Sequence, residues 1–135
     1  RLVSWASKKH PIPLPLGSVR NCRSFVALDN LVDFIATCVT HKNAANELFL
    51  VSDRDDLSTT EFLRKIAKAF NKKIFLLPIP VQFMIFIAGF LGKRADAIRL
   101  FSSLRVDSSK AKELLDWDPK ITMDDQLLKI AKMWK

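Results

Sequence analysis

Arginine is the residue type in this sequence best suited to do chemistry, because a guanidinium binds phosphate oxygens through two parallel hydrogen bonds. Arg23 stands directly before the run "SFVAL", which has the composition of a strand. Arg94 and Arg99 follow the most apolar stretch of the chain, and Arg105 precedes Asp107. Arginines that are separated in sequence can converge in a fold, so the pattern indicates anion recognition. The competing interpretation of each arginine is a solvated surface charge.

Other groups that enzymes use for catalysis are scarce. The chain contains no tyrosine, and its two histidines, His10 and His41, lie in loop-like contexts. Its three glycines, Gly17, Gly89 and Gly92, are too far apart to form the G-x-G-x-x-G loop of a dinucleotide site. The sequence therefore offers no catalytic residue and no cofactor-binding residue.

Metal binding is weakly indicated. The acidic residues Asp53, Asp55 and Asp56 follow a predicted strand, but carboxylates ahead of a helix also complement the positive end of its dipole, and we favour that role. Cys22 and Cys38 are the only cysteines, too few for a zinc framework with two histidines. We interpret them as reduced thiols of a cytosolic protein, with a disulfide as the unsupported alternative. No metal site is predicted.

Composition and charge limit the class of partner. The chain has 135 residues, 49% hydrophobic and 27% charged, which suits one globular domain. Its net charge of +8 allows a nucleic acid, an anionic membrane or a phosphorylated small molecule as partner, or reflects one part of a larger, more balanced protein. Its aromatic residues are mostly phenylalanines in apolar patterns, not interleaved with cations, which argues against nucleic acid.

Helices and short strands alternate along the sequence, which predicts the α/β class. The predicted strands are 24–28, 46–52, 72–78 and 104–107, and the segment 46–52 should be buried. The predicted helices are 2–9, 29–40, 58–70, 80–91, 95–103 (helical or irregular), 108–115 and 122–133.

Side-chain caps set several of the predicted helix starts. Asp29 or Asn30 should cap the first long helix, and Asp107 and Thr122 should cap the last two. Ser58 is followed three residues later by a glutamate, the pattern of a capping box.

The stretch "PIPVQFMIFIAGFLG" is the most apolar part of the chain. Its unbroken apolar run is shorter than the roughly 20 residues that span a bilayer, so we expect a buried helix. A helix lying on a membrane surface is the alternative, because Lys72, Lys73, Lys93 and Arg94 flank the stretch.

Five motifs, taken in order, resemble one protein family. They are "IPLPLG", "RSFVALDNLVDFI", "NELFLVSDRDDLSTTEFLRKIAKAF", "LPIP" before an apolar helix, and "VDSSKAKELLDWDPKITMDDQL". Together they cover nearly the whole chain. The sequence resembles the C-terminal third of extended short-chain dehydrogenases/reductases that act on nucleotide sugars, the UDP-glucose 4-epimerase-like group.

The resemblance implies the fold and the domain organisation. Residues 1–135 would form a single C-terminal substrate-binding domain of mixed short strands and helices, part of a Rossmann-type enzyme. The N-terminal NAD-binding part would be absent from this chain. The helix 29–40 would then lean on a sheet that is not present, so we expect it to expose apolar surface and promote self-association.

The resemblance also assigns roles to residues. Arg23 occupies the place of the family's arginine that contacts the diphosphate of a UDP-sugar. Leu14 and Leu16 match positions whose backbone meets the uracil ring. Arg99 is our choice for a second phosphate-binding arginine, with Arg94 and Arg105 left open. Asp107, Lys110 and Trp117 would be structural.

The activity implied for the full-length enzyme is NAD-dependent 4-epimerisation of a UDP-sugar, or a related dehydration or reduction. NAD would be held by the absent N-terminal part, and this chain alone would be inactive. A homodimer, a cytoplasmic location and a role in bacterial polysaccharide biosynthesis are also implied, with peripheral membrane contact through 81–91 as an option. The alternative function is that of a basic, non-catalytic module that binds an anionic membrane or nucleic acid.

Overall fold

The structure is a computed structural model that describes residues 13–134, so the predicted helix 2–9 lies outside the described residues. The described residues divide into two compact units, 13–23 with 57–104 and 24–56 with 105–134. The first unit contains α2 (Thr59–Ala69), α3 (Val81–Phe90) and α4 (Arg94–Phe101). The second contains α1 (Leu28–Thr40), a 3-10 turn (Lys42–Ala44), α5 (Ser109–Leu115) and α6 (Met123–Met133).

Local capping signals correctly located two helix starts. The Ser58 hydroxyl accepts a hydrogen bond from the Glu61 amide at 3.1 Å, and the Glu61 carboxylate accepts one from the Ser58 amide at 2.8 Å. The Thr122 hydroxyl accepts from the Asp125 amide at the start of α6. At α5, Asp107 accepts from the Ser109 amide, although Ser108 is the residue in the cap position. The predicted caps for α2 and α6 are confirmed.

The predicted cap of α1 is wrong. The helix begins at Leu28, and neither Asp29 nor Asn30 stands at its start. Two side chains distant in sequence supply acceptors instead. Asp53 Oδ2 accepts from the Ala27 amide at 2.8 Å, and Gln126 Oε1 accepts from the Asp29 amide at 3.2 Å. Acceptors brought to a helix start by the fold leave no local signal in the helix sequence.

Strand formation is not confirmed within residues 13–134, which are mostly helical. The extended segments meet at isolated bridges, among them Leu14 with Leu76 and Arg23 with Leu57. A continued parallel ladder would pair the Leu16 amide with the Leu77 carbonyl, but that carbonyl accepts from the Gly17 amide at 2.9 Å, so the pairing ends after one bridge. The Ala27 amide is taken by a side chain and not by a neighbouring strand.

The core of the second unit is built around Trp117 and Phe34. Their rings meet edge to face with centroids 5.0 Å apart, and Phe49 packs on Phe34 at 5.7 Å. Ala111 and Leu115 of α5 complete the buried cluster. The structural role predicted for Trp117 is confirmed.

The segment 46–52 is only half buried. Phe49 and Val51 pack against the core, whereas Leu48 and Leu50, which alternate with them, are exposed, Leu48 by 80%. Burial alternates along the segment, so only one of its faces is packed. The prediction of a buried strand is therefore wrong.

Two apolar helix faces are exposed. On α1 the exposed residues are Leu28, Val32, Ile35 and Val39, which recur at helical spacing, so the expectation of exposed apolar surface is confirmed. On α3 no residue is buried, so the prediction of a buried helix is wrong. The core of the first unit instead consists of Val19, Leu57, Leu63, Ile66 and Ala67.

We expect Ser58→Ala to lower the free energy of unfolding by about 1 kcal/mol, because the Glu61 amide loses its acceptor at the start of α2. Urea denaturation followed by circular dichroism measures this change. Ser109→Ala is the matched control, since that exposed serine is the first residue of α5 and not its cap. Equal stability of Ser58→Ala and the wild type would contradict a capping role.

Candidate functional site

All four residues predicted to bind substrate, Leu14, Leu16, Arg23 and Arg99, lie in the first unit. Two segments carry them: the stretch 14–23 that precedes α1, and the last turn of α4. Both segments belong to that unit.

Arg23 is fixed by its backbone and by its side chain. Its amide donates to the Leu57 carbonyl at 3.0 Å and its carbonyl accepts from the Leu57 amide at 2.9 Å. Its Nε donates to the Ser102 carbonyl at 3.3 Å, and its Nη2 donates to the carbonyl of Arg99. The guanidinium therefore lies at the C-terminal end of α4, where helix carbonyls lack intrahelical partners.

The structure thus brings Arg23 and Arg99 together through the backbone of Arg99. These contacts alone give Arg23 a structural role at the end of α4. A guanidinium has five N–H donors, so further donors remain for a ligand after the hydrogen bonds to Arg99 and Ser102. The position combines a held cation with unused hydrogen-bonding capacity, as anion recognition requires.

Asn21 positions the same region and had no predicted role. Its side chain is buried, and Nδ2 donates to the carbonyls of Leu100 and Ser102, each at 3.2 Å. Its Oδ1 accepts from the Thr59 amide at 2.9 Å. Asn21 therefore ties the start of α2 to the end of α4, next to the guanidinium of Arg23. No sequence pattern marks such a contact.

The backbone of Leu14 is already engaged. Its amide donates to the Phe75 carbonyl at 3.0 Å, and its carbonyl accepts from the Leu77 amide at 2.8 Å. The chains remain close at Gly17, where a Cβ would lie 2.9 Å from the backbone of Leu77. Glycine is therefore required for this close approach. The backbone amide and carbonyl of Leu14, which the resemblance assigns to base recognition, hold the segment 14–17 against residues 75–77.

Leu16 is differently placed. Its carbonyl accepts from the Thr60 hydroxyl at 2.5 Å, whereas its amide has no hydrogen-bond partner among the described residues. Its side chain lines an apolar groove of about 450 Å³ between α3 and α4, together with Phe83, Leu100 and Phe101. Of the two leucines, Leu16 has the backbone donor that remains open to a ligand.

The arginines left open by the sequence lie elsewhere. Arg94 is the first residue of α4, at the opposite end of that helix from Arg99. Arg105 belongs to the second unit, where its Nε donates to the carboxylate of Asp56 at 2.5 Å. Arg99 is therefore the arginine whose backbone is joined to Arg23.

The acidic run Asp53–Asp56 has structural roles. Asp53 accepts from the Ala27 amide and the Asn30 side chain, each at 2.8 Å. Hydrogen bonds from the Ser24 hydroxyl and the Arg105 guanidinium lower the pKa of Asp56 below its ordinary value of 3.8. The run does complement a helix start, but the helix is α1 and not the following α2. In the described part of the chain, no group of three or more histidines, cysteines or carboxylates is arranged to hold a metal ion.

We expect stability to fall as the pH falls below about 4, because the pKa of Asp56 is lower in the folded than in the unfolded chain. The unfolded chain binds the proton first, so the contribution present at neutral pH is lost as the pH falls through the folded pKa. Asp56→Asn should lower the thermal midpoint at pH 7 and flatten its acid dependence. Asp55→Asn, at the exposed neighbouring position, is the control, and equal profiles for the two variants would contradict the assignment.

Comparison with known proteins identifies a relative. The chain is 43% identical over 122 residues to UDP-glucose 4-epimerase of Vibrio cholerae, a match that covers 90% of this chain. The predicted resemblance is confirmed. The chain spans 37% of the length of that enzyme. No family model matches the sequence, and no solved structure gives a significant match.

In residues 13–134, none of the helices combines the length and the apolar character needed to cross a bilayer.

Proposed function

We propose that this chain is the C-terminal, substrate-binding part of a nucleotide-sugar epimerase and that it holds the UDP portion of a UDP-sugar. The 43% identity to a UDP-glucose 4-epimerase is the observation that carries the proposal. The placement of Arg23 supports it, because the backbone of Leu57 and the end of α4 fix the guanidinium.

Arg23 would contact the diphosphate. Charge-assisted hydrogen bonds from a guanidinium to phosphate are short and directional, and a fixed cation loses little freedom when the ligand binds. Arg99 lies in the last turn of α4, the helix whose end Arg23 contacts, so its side chain supplies a second cation at that helix end. We assign both arginines to the phosphates and leave Arg94 and Arg105 out of the site.

Leu16 would contact the base. Its amide is a backbone donor that can pair with a uracil carbonyl, and its side chain lines the apolar groove beside α4. Leu14 would act as the anchor of this segment, since both of its backbone groups pair with 75–77. The two leucines then have different roles, one in recognition and one in positioning.

NAD is the cofactor that such an epimerase needs, and the residues of this chain do not fit it. The three glycines do not form a dinucleotide-binding loop, and there is no tyrosine to act as acid or base. We therefore place NAD, the catalytic residues and epimerisation itself in another part of a longer, dimeric enzyme. The exposed aliphatic face of α1 (Leu28, Val32, Ile35, Val39) is the surface we assign to that part.

A calorimetric titration of the full chain with UDP, a UDP-hexose and a short DNA duplex tests the proposal, each at low and moderate salt. We expect saturable one-to-one binding of UDP that persists at moderate salt. Binding of DNA that collapses with salt, with no response to UDP, would support the basic-module alternative. No response to UDP or UDP-hexose would contradict nucleotide binding by this chain.

A further inference from the structure

The exposed side of α3 carries an aromatic stripe. It consists of Phe83, Phe86, Ile87 and Phe90, which are 54%, 62%, 44% and 78% exposed. Their spacing places them on one face of the helix. The rings of Phe86 and Phe90 meet edge to face with centroids 4.9 Å apart, so the stripe is a continuous surface.

Cations follow the stripe at the tip of the hairpin formed by α3 and α4. Leu91, which is 70% exposed, extends the apolar surface into the turn. Gly92 allows the turn, since its φ is +68°. Lys93 and Arg94 come next and are both exposed, so positive charge borders the apolar surface at the point where the chain reverses.

The stripe runs along the length of α3, which suits a helix that lies in the plane of the membrane interface. The 10 residues of α3 have a length of about 15 Å, all of which can contact the surface. Gln82 is the only residue of α3 with a polar side chain. Phenylalanines that enter the acyl region, with Lys93 and Arg94 at headgroup level, match the arrangement of interfacial anchors.

The exposed aliphatic face of α1 lacks both the aromatic rings and the adjacent pair of cations. Its members are aliphatic, and the charged residues of that helix, Asp29 and Asp33, are ion-paired with Lys129 and Lys120. These pairs carry no excess positive charge to attract an anionic surface, whereas Lys93 and Arg94 stand at the tip of the α3–α4 hairpin. Charge therefore distinguishes a face suited to a protein partner from a face suited to lipid.

We propose that the α3–α4 hairpin docks on the surface of an anionic phospholipid bilayer, with the aromatic stripe inserted and Lys93 and Arg94 at the lipid phosphates. Arg23 and Leu16 are not part of this contact, and the residues chosen to test it, Phe86 and Phe90, do not line the groove beside Leu16, which Phe83 and Ile87 do line. The contact would hold the protein at a membrane while leaving the end of α4 open.

Flotation of the full chain with lipid vesicles tests the proposal in the absence of nucleotide. We expect binding to vesicles of phosphatidylcholine mixed with phosphatidylglycerol, weaker binding to phosphatidylcholine alone, and a decrease as salt rises. Phe86→Ser with Phe90→Ser should lower the partition coefficient at least about tenfold. Lys93→Gln and Arg94→Gln should each lower it about fivefold.

Matched variants in the second unit control for a general loss of apolar surface or charge. Val32→Ser with Val39→Ser removes comparable exposed apolar side chains from α1. Lys42→Gln with Lys132→Gln removes two exposed cations. Vesicle binding should be unchanged by the valine pair. It should fall less with the lysine pair than with Lys93→Gln and Arg94→Gln combined in one chain.

Three results would overturn the proposal. The first is the absence of vesicle binding by the wild-type chain, and the second is binding that the control pairs reduce as much as the hairpin variants do. The third is a wild-type chain that self-associates without binding vesicles and becomes monomeric with Phe86→Ser and Phe90→Ser, since the stripe would then join two copies. UDP titration of the same samples shows independently whether the nucleotide site is present.

Discussion

We expect Trp117→Ala to lower the free energy of unfolding by about 3–5 kcal/mol, the largest effect of any substitution considered. Trp117 is only 4% exposed, and its ring packs against Phe34 in the core of the second unit. Its Nε1 also donates to the carboxylate of Asp33 at 2.8 Å. The substitution therefore opens a cavity and removes a hydrogen bond from a carboxylate.

Urea denaturation followed by circular dichroism measures the change, with Trp134→Ala as the control. Trp134 lies at the end of α6 in the same unit and is 60% exposed, so its loss should cost little. Trp117→Phe keeps an aromatic ring but loses the N–H, and we expect an intermediate effect that can be measured if the alanine variant does not fold. Similar stabilities of the Trp117→Ala and Trp134→Ala variants would contradict the central role of Trp117.

Asn30→Ala should cost about 3 kcal/mol, because several buried polar groups lose their partners together. The Asn30 side chain is 1% exposed, and its Nδ2 donates to Asp53 at 2.8 Å and to the Ile121 carbonyl at 2.7 Å. Its Oδ1 accepts from the amides of Lys120 and Ile121, at 3.0 and 2.9 Å. One amide side chain thus joins α1 to the segments that precede α2 and α6.

The exposed Asn43 provides the comparison for this prediction. Its side-chain Nδ2 donates to the Leu114 carbonyl at 3.2 Å, so Asn43→Ala removes one exposed hydrogen bond. We expect thermal denaturation to show a much larger loss for Asn30→Ala than for Asn43→Ala. Equal losses would mean that the buried network around Asn30 does not stabilise the fold.

The sequence predicted the features that depend on neighbours along the chain. Ser58 and Thr122 were identified as caps because a cap and its amide are three residues apart. Trp117 was placed in the core from its motif. The start of α1 was missed because its acceptor, Asp53, lies 26 residues from the Ala27 amide that it caps. Contacts made across such separations have no local pattern.

Burial and strand pairing were predicted less well for a related reason. An apolar run such as Val81–Phe90 indicates a surface that avoids water, but not what covers it. The segment 46–52 was interpreted as a buried strand, and the exposure of Leu48 shows that only one of its faces is packed. Arg23 was chosen for the site from a motif, whereas its contact with the end of α4 uses backbone carbonyls that any residue would supply.

Titration of UDP into Arg23→Ala, with Arg20→Ala as the control, is the measurement that tests nucleotide binding most directly. Arg20 is an exposed arginine of the same segment. We predict that Arg23→Ala weakens UDP binding by about 1.5–3 kcal/mol, the scale of a charged hydrogen bond, and that Arg20→Ala leaves it nearly unchanged. Circular dichroism of each variant separates a lost contact from a lost fold, because Arg23 also contacts α4. A folded Arg23→Ala variant with wild-type affinity for UDP would contradict the assignment of Arg23 to the substrate site.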